Sequence, residues 1–332
     1  MSYDPNVLRQ ATQRLEQQRL RRTAEAEQRR QLAYARQPRL AQIDRELRAT
    51  MTGVVTAALK NGEDPGPALA QLRAKNLDLQ LERRDILGSL GMGPNELDDV
   101  PACAACGDTG WQGATMCPCL HELCKQEQIR ALSSMLDLGG QSFDNFRMDY
   151  YSPVHDPAEG TSPRENMTDF VFPMCLNYAR NFGQRSTRNL FLYGAPGLGK
   201  TYLSACIARV VSERGFSVVY DTAGNIFSRF EAQKFNHDPD ARSETRRYLN
   251  CDLLIMDDLG CELTTQFTQS ALYELINTRL MSDKHTVISS NLTMDDIGRR
   301  YSPQIASRLA GEYHPLHFFG EDIRRQRARN MD

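Results

Sequence analysis

Gly194-Ala195-Pro196-Gly197-Leu198-Gly199-Lys200-Thr201 is the segment of this chain with the most specific pattern. It follows an apolar run, residues 189–193, that predicts a buried strand, and it leads into a helical pattern over residues 200–214. A glycine-rich loop between a strand and a helix presents convergent backbone N–H groups, and the helix dipole adds attraction for anions. The segment therefore predicts a site for the phosphates of ATP.

The last residues of this loop carry the chemistry expected of a nucleotide site. Lys200 would reach the β- and γ-phosphates, and the hydroxyl of Thr201 would ligate Mg²⁺. Tyr202 follows in the helix and is counted with the eight loop residues as a nucleotide-binding candidate. The cofactors predicted here are ATP and Mg²⁺.

Two aspartates follow another apolar run, residues 253–256, which is typical of a central parallel strand. The carboxyl ends of such strands open onto the ligand crevice of the sheet. There Asp257 would hold Mg²⁺ through water, and Asp258 would polarise the water that attacks the γ-phosphate. An acidic helix cap is the alternative interpretation, but the upstream phosphate loop favours the catalytic one.

Three later polar residues are further candidates. Asn291 follows the predicted strand 286–290, where its amide could orient water against the γ-phosphate, although asparagine is also a common turn residue. Arg308 and Arg324 follow the core strands. An arginine aimed at the developing phosphate charge accelerates hydrolysis, and a neighbouring subunit can supply it. A surface ion pair is the alternative for either arginine.

From about residue 164 onward, short β-rich runs alternate with helical ones, which predicts an α/β fold with a five-stranded, mostly parallel sheet. The predicted strands are residues 189–193, 217–221, 252–256, 286–290 and 316–319. The predicted helices are residues 200–214, 223–234, 243–249, 266–282, 294–299, 303–310 and 322–330. Residues 165–332 are therefore predicted to form the ATPase domain.

The front of the chain has a helical and basic composition. Residues 1–50 contain 11 arginines, no lysine and 6 acids, whereas the whole chain of 332 residues has a net charge of −2. Leucine spacing predicts two helical pieces with a break at Pro38, a turn over residues 61–67, and a further helix that completes a helical hairpin. Residues 1–90 are predicted to bind a partner protein, and a solvated coiled-coil spacer is the alternative.

Five of the nine cysteines fall between residues 103 and 124. Tetrahedral Zn²⁺ prefers four thiolate or imidazole ligands, and Cys103 and Cys106 form a Cys-x-x-Cys knuckle with glycine after it. The second pair is less regular: Cys117 and Cys119 are the candidates, with Cys124 or His121 as substitutes. A structural zinc site is favoured over a redox pair because the thioredoxin-like context is absent.

The segments around the cysteines complete the predicted organisation. Residues 91–140 are expected to hold the zinc site and a connecting helix, and residues 141–164 a linker. Four aromatic residues fall in this turn-rich stretch, which we expect to be partly ordered: Phe143, Phe146, Tyr150 and Tyr151. No apolar run approaches the roughly 20 residues of a membrane span, and the polar N-terminus lacks a signal-peptide core. A cytoplasmic protein with no membrane partner is expected.

Together the motifs resemble the AAA+ ATPases of the DnaC/DnaI type, the bacterial and phage loaders of the replicative helicase. The resemblance covers roughly residue 143 to the C-terminus, and the front more loosely. It implies these roles: Lys200 and Thr201 in Walker A, Asp257 and Asp258 in Walker B, Asn291 as sensor 1, Arg308 as an arginine finger in trans, and Arg324 as the sensor-2 arginine. Most AAA+ proteins have Glu where this chain has Asp258, so slow or partner-stimulated hydrolysis is expected.

The resemblance also implies partners: a hexameric replicative helicase bound through the N-terminal region, single-stranded DNA, and further copies of the chain bound through the AAA+ domain. Candidate DNA contacts are Phe227, Arg229, Phe230, Lys234, Phe235, Arg242, Arg246, Arg247 and Tyr248, unless the phenylalanines belong to the core. Transposase-helper ATPases of the IstB type share the same core and are the first alternative, and an ATP-gated adaptor with negligible turnover is the second. The Cys-x-x-Cys-x-Asp-x-Gly element favours the loader.

Overall fold

The structure is a computed structural model that describes residues 3–59, 66–133, 135–136, 138, 140–184, 187–235 and 239–324. The chain divides into two compact units. One unit is Gln13–Cys117, and the other combines Met1–Thr12 with Pro118–Asp332. The finer division at residues 90, 140 and 164 stays a prediction.

The front of the chain is helical, as predicted. Its elements are α1 (Pro5–Arg36), α2 (Pro38–Leu59), α3 (Gly66–Ser89) and a short hairpin of β1 (Trp111–Gln112) and β2 (Thr115–Met116). The break falls before Pro38, because the residue ahead of a proline is pushed out of the helical conformation. Helices α2 and α3 run antiparallel: Arg39 Nε donates to Glu82 Oε1 (2.7 Å) near one end and Asn76 Nδ2 donates to Thr50 Oγ1 (3.0 Å) near the other. The predicted turn falls mainly outside the described residues.

A five-stranded parallel sheet forms the centre of the second unit. Its strands are β3 (Asn189–Gly194), β4 (Val218–Thr222), β5 (Leu253–Leu259), β6 (His285–Ser290) and β7 (Tyr313–Phe318), in the spatial order β4-β5-β6-β3-β7. The helices around it are α4 (Pro118–Ser133), α5 (Pro163–Asn166), α6 (Phe172–Arg180), α7 (Lys200–Glu213), α8 (Ala223–Phe235), α9 (Pro239–Asn250), α10 (Gln266–Met281), α11 (Met294–Arg300) and α12 (Pro303–Glu312). A π-helical turn, Met167–Val171, joins α5 to α6. In the part of the chain that the structure describes, no helix is long and apolar enough to cross a bilayer.

Both faces of the sheet are buried, which explains the unbroken apolar runs of its strands. Leu190 and Leu192 of β3 pack in one core cluster with Ile207 of α7, whereas Phe191 packs in the other with Leu272 of α10. This alternation is the two-residue period of a strand. The α/β class and the five parallel strands predicted from the sequence are thereby confirmed.

Element ends differ from the prediction in a few places. Strand β7 begins at Tyr313 rather than at residue 316. Pro315 weakened the strand pattern there, but an edge strand tolerates proline because it can leave one N–H position unpaired. Helix α9 begins at Pro239, four residues before the predicted start at residue 243. Most of the predicted helix 322–330 lies outside the described residues.

The first residues of the chain pack on helices α4 and α9. Asp4 Oδ1 accepts the backbone N–H of Asn6 (2.7 Å) at the start of α1, while Asp4 Oδ2 lies 2.8 Å from Arg247 Nε on α9. The hydroxyl of Tyr3 lies 2.7 Å from His121 Nδ1 on α4. Asp4 therefore caps α1 and also pairs with α9. These contacts explain why the first residues group with the unit that contains the sheet.

Arg279 is a fully buried cation on α10. Its guanidinium donates to the backbone oxygens of Tyr248 (2.6 Å), Cys251 (3.1 Å) and His285, and to the hydroxyl of Thr286 (3.0 Å). The first two oxygens lie at the C-terminal end of α9, where exposed carbonyls carry partial negative charge. Arg279 therefore joins the end of α9 to the start of β6.

We predict that Arg279→Met lowers the free energy of unfolding by about 3 kcal/mol, because several buried carbonyls lose a charged donor at once. Chemical denaturation monitored by circular dichroism measures this change. Arg229→Met is the matched control, since Arg229 is an exposed arginine of α8, and it should change stability by less than about 0.5 kcal/mol. Equal stability of the two variants would contradict the structural role of Arg279.

Candidate nucleotide site and cysteine cluster

The predicted phosphate loop connects β3 to α7, and two of its glycines are required by geometry. Gly194 has φ 137°, and a Cβ there would lie 1.9 Å from the carbonyl oxygen of Phe318 on β7. Gly199 has φ 92° and caps α7, whose first residues are Lys200 and Thr201. The chain therefore turns from strand to helix with the helix N-terminus at the loop, which is the geometry that binds phosphate.

Lys200 lies at this loop with its ammonium held by backbone oxygens. Its Nζ donates to the carbonyl of Gly194 (2.7 Å) and to that of Ala195 (2.8 Å). Burial lowers the pKa of Lys200, whereas the Asp258 and Asp257 carboxylates oppose the shift. A cation held between the loop and two carboxylates is well placed to bind a phosphate.

Asp257 is buried at the carboxyl end of β5 and accepts hydrogen bonds from three hydroxyl groups. Thr201 Oγ1 donates to Asp257 Oδ2 (3.0 Å), and the Tyr220 hydroxyl donates to the same oxygen (2.6 Å). The Ser289 hydroxyl contacts Asp257 Oδ1. Because Thr201 and Asp257 are in direct contact, the two predicted magnesium ligands lie together.

Asp258, the next residue, has an exposed side chain and left-handed backbone, with φ 56°. The pairing of β5 with β6 is irregular between Met256 and Leu259, so the strand bulges at this point. The backbone N–H of Asp258 donates to Ser289 Oγ (3.1 Å). Burial and the Asp257 carboxylate raise the pKa of Asp258, while Lys200 opposes the shift. The bulge aims Asp257 and Asp258 in different directions.

A cavity of about 640 Å³ lies above the phosphate loop. Lys200, Thr201, Asp258, Asn291 and Arg324 all line it. The backbone N–H of Ile323 donates to the carbonyl oxygen of Gly197 (3.0 Å), which places the adjacent Arg324 at the cavity. Four of the six catalytic candidates therefore line one cavity. Asp257 does not line it but contacts Thr201, which does.

Arg308 is the exception among those candidates. It lies on α12, where its guanidinium stacks over the ring of Tyr273 and donates to the Tyr273 hydroxyl (2.9 Å). It is not among the residues that line the cavity. Arg308 is therefore not part of the nucleotide site of its own chain.

The aromatic stretch expected to be a partly ordered connector forms a wall of this cavity. Phe146, Tyr150 and Tyr151 line it, and the ring of Phe146 packs edge to face on that of Tyr202 at 5.4 Å. Tyr151 is buried, and its hydroxyl donates to the carbonyl of Leu198 (2.9 Å) in the phosphate loop. The aromatic side chains supply the burial that the turn-rich backbone lacks.

Sequence reasoning missed Tyr220, Tyr151 and Cys261 as residues of this site. Tyr220 contacts Asp257 from the neighbouring strand β4, and Cys261 lines the cavity beside Asp258. Tyr220 and Tyr151 lie tens of residues away from the residues they contact. Cys261 lies near Asp258 in the chain, and that proximity was the one available signal.

The cysteine candidates meet within a segment of 17 residues. The Sγ atoms of Cys103, Cys106, Cys117 and Cys119 all lie within 4.8 Å of one another. The Cys103 and Cys117 sulfurs are 3.7 Å apart, which exceeds the roughly 2.05 Å of a disulfide and matches the spacing of about 3.8 Å expected for two thiolates on one tetrahedral Zn²⁺. The four residues fit a zinc ion. The proposed substitutes lie elsewhere, since Cys124 is fully buried in α4 and His121 contacts Tyr3.

Asp108 organises the first knuckle of this cluster. Its carboxylate accepts the backbone N–H groups of Ala102 (3.0 Å) and Cys103 (2.8 Å), and it pairs with Arg22. These donors lower the pKa of Asp108 against the opposing effect of burial. The aspartate of the Cys-x-x-Cys-x-Asp-x-Gly element is thus an anchor for the ligand backbone.

Comparison with known proteins agrees with the site. Residues 180–329 match the family described as IstB-like ATP binding protein. The chain is 24% identical to the replicative helicase loader DnaC of Escherichia coli K12 over 137 residues, which is 40% of this chain and 56% of the loader. It is 28% identical to the chromosomal replication initiator protein DnaA of Caldanaerobacter subterraneus subsp. tengcongensis over 152 residues, which is 45% of this chain and 32% of the initiator. A crystal structure of the DnaC helicase loader aligns at 19% identity and a TM-score of 0.43, over 53% of this chain and 98% of that one.

Residues 180–329 therefore form an IstB-like ATP-binding domain, and the chain is similar in sequence to a DnaC-type loader and to DnaA initiators. It spans about a third to just over half of the length of these curated relatives. The phosphate loop and all five strands of the sheet fall within the matched residues.

We predict that the purified chain contains about one zinc per molecule, and that Cys106→Ser loses most of it because a three-thiolate site binds more weakly. Elemental analysis after dialysis against a weak chelator measures the content. Cys261→Ser is the control, since Cys261 is exposed and lies outside the cluster. A zinc-free wild-type chain from zinc-supplemented cells would count against the site.

Proposed function

We propose that this chain is an ATP-dependent loader of a replicative DNA helicase, in which ATP binding sets an assembled state and hydrolysis releases it. The observation that carries this proposal is the shared cavity of Lys200, Thr201 and Asp258 beside Asp257. The relationship to a protein named as a replicative helicase loader supports the biological setting. The four clustered cysteines agree with the loader resemblance.

The residues of the site would divide the work between binding and hydrolysis. The loop N–H groups and Lys200 would hold the phosphates, and Thr201 with Asp257 would hold Mg²⁺. The metal would neutralise charge that develops on the phosphate oxygens. Asp258 would orient the attacking water, and its left-handed backbone turns its carboxylate away from that of Asp257. Asn291 would fix the water from the neighbouring strand end.

The two arginines support a site shared between copies of the chain. Arg324 lines the cavity of its own chain, where it would contact the γ-phosphate. Arg308 lies outside that cavity, and its guanidinium donates to the Tyr273 hydroxyl. We propose that Arg308 completes the site of a neighbouring copy, as an arginine finger does. Self-association through the AAA+ domain would then be required for full activity.

The front helices are the proposed helicase-binding region. Leu77 and Leu81 of α3 are 58% and 40% exposed, and they lie one helical turn apart. Exposed leucines at this spacing form an apolar seam that a partner helix can cover. A solvated spacer helix gains nothing from exposed leucines, whereas a partner-binding helix uses them for contact.

Single-stranded DNA is the other proposed ligand, and burial divides its candidate residues. Phe227, Phe230 and Tyr248 are core residues, so we withdraw them as DNA contacts. Lys234 and Phe235 remain, because Phe235 is 61% exposed and the Lys234 ammonium lies 5.9 Å from its ring centre. Arg229, Arg242 and Arg246 are exposed and also remain candidates. Arg247 is a weaker candidate because it pairs with Asp4. Aromatic rings beside cations are typical of single-strand binding.

A transposase-helper ATPase is the second candidate function, because the matched family is the IstB-like one. Residues 180–329 match that family, and this core is compatible with a transposase helper as well as with a loader. An adaptor that binds ATP without turnover is a further alternative. The two experiments below separate all three.

We predict that Asp258→Asn lowers the ATP hydrolysis rate by about 100-fold while nucleotide affinity stays within about threefold, because a general base is lost and no phosphate contact is. Lys200→Ala should weaken ATP binding by about 10- to 100-fold, since a charged hydrogen bond is removed. Phosphate release and fluorescent-nucleotide titration measure the two effects. Asp169→Asn, on the exposed π-helical turn, is the control. Tight ATP binding without turnover by the wild-type chain would favour the adaptor.

We predict that the full chain co-elutes with the hexameric replicative helicase of its source in the presence of ATP. Leu77→Glu/Leu81→Glu should weaken this capture at least tenfold without changing hydrolysis, because charges replace the apolar seam. Leu263→Glu, at a leucine that is 87% exposed in the ATPase unit, is the control. Capture of a transposase and not of the helicase would instead identify a transposase helper.

A further inference from the structure

Tyr220 is a buried tyrosine on β4 whose hydroxyl faces the predicted magnesium site. Strand β4 pairs in parallel with β5, with Tyr220 opposite Ile255 and Thr222 opposite Asp257. The Tyr220 hydroxyl donates to Asp257 Oδ2 at 2.6 Å, and its side chain is 8% exposed. A phenol carries its proton at neutral pH, so the Tyr220 hydroxyl is the donor in this contact.

Three hydroxyl groups share the two oxygens of Asp257, but they are not equivalent. Thr201 Oγ1 donates to Oδ2 at 3.0 Å, and in a nucleotide complex a lone pair of the same oxygen is expected to bind Mg²⁺. The position of this hydroxyl would then also be set by the metal. Tyr220 and Ser289 have no metal to bind, and they contact opposite oxygens of the carboxylate. These two hydroxyls would therefore fix the orientation of Asp257 independently of the nucleotide and its metal.

We propose that Tyr220 is a positioning residue that holds the Asp257 carboxylate in the orientation that binds the hydrated Mg²⁺ of the nucleotide complex. This inference rests on the proposed ATPase function. Tyr220 acts through Asp257 and makes no contact of its own with the nucleotide. Loss of its hydroxyl removes this donor from Oδ2, so the Asp257 carboxylate is less firmly oriented. The metal is then bound less tightly, while the phosphate loop is unchanged.

Tyr248 provides a matched comparison in the same unit. It is also a buried tyrosine, and its hydroxyl donates to a carboxylate oxygen, Asp221 Oδ2, at 2.7 Å. Burial and Asp221 raise the pKa of Tyr248 as well. Removing the Tyr248 hydroxyl therefore costs a hydrogen bond of the same kind without touching Asp257.

The experiment compares wild type, Tyr220→Phe and Tyr248→Phe in the full chain. Mg²⁺ is titrated at fixed ATP, and both hydrolysis and fluorescent-nucleotide affinity are followed. Tyr220→Phe should raise the Mg²⁺ concentration at half-saturation by about 10- to 100-fold, the loss expected for one hydrogen bond to a charged group. Its nucleotide affinity in EDTA should equal that of wild type. Tyr248→Phe should match wild type in both measurements.

A double-mutant cycle tests whether the effect passes through Asp257. On an Asp257→Asn background, Tyr220→Phe should shift the Mg²⁺ requirement less than twofold further, because the group it positions is already altered. An unchanged Mg²⁺ requirement in Tyr220→Phe, or an equal shift in Tyr248→Phe, would overturn the inference. If the nucleotide affinity and the hydrolysis rate of the wild-type chain do not depend on the Mg²⁺ concentration, the proposed function itself is refuted.

Discussion

Parallel pairing of β5, β6 and β3 gathers the chemistry of this chain at one edge of the sheet. Tyr193 lies opposite Ser290 in the β3–β6 pair, and Met256 lies opposite Ile288 in the β5–β6 pair. Strands that run the same way end at the same edge, so the residues that follow each strand converge. The phosphate loop, the Asp257–Asp258 pair and Asn291 are neighbours for this reason, although about 100 residues separate the first from the last along the chain.

The chemistry of the site was predictable where it is encoded in consecutive residues. The loop from Gly194 to Thr201 and the strand-end aspartates are local patterns, and they lie where the sequence placed them. The same holds for Cys103 and Cys106, because a knuckle is a local structure. Cys117 and Cys119 are closer in the chain to this knuckle than Cys124 is, and they are the cysteines that complete the cluster.

What the sequence did not reveal depends on contacts across strands. Nothing near Tyr220 in the chain marks it as a partner of Asp257, since the contact arises from the register of β4 against β5. The core role of Phe227 and Phe230 was equally open, because phenylalanine serves cores and stacking surfaces alike. The aromatic stretch around Tyr151 looked loose because its backbone pattern is irregular, while its order comes from side-chain packing on the phosphate loop. The domain limits, site roles and partners remain predictions.

The bulge at Asp258 restricts the evolution of this site. Left-handed backbone costs most side chains roughly 1–2 kcal/mol, and aspartate and asparagine are among the few that adopt it readily. Most AAA+ proteins use the longer glutamate as their base, and at φ 56° that side chain would add strain at the point where catalysis needs order. A glutamate at position 258 would therefore be selected against unless the strand were also straightened. The shorter acid and the bulge would then be inherited together, because the backbone at this position favours aspartate.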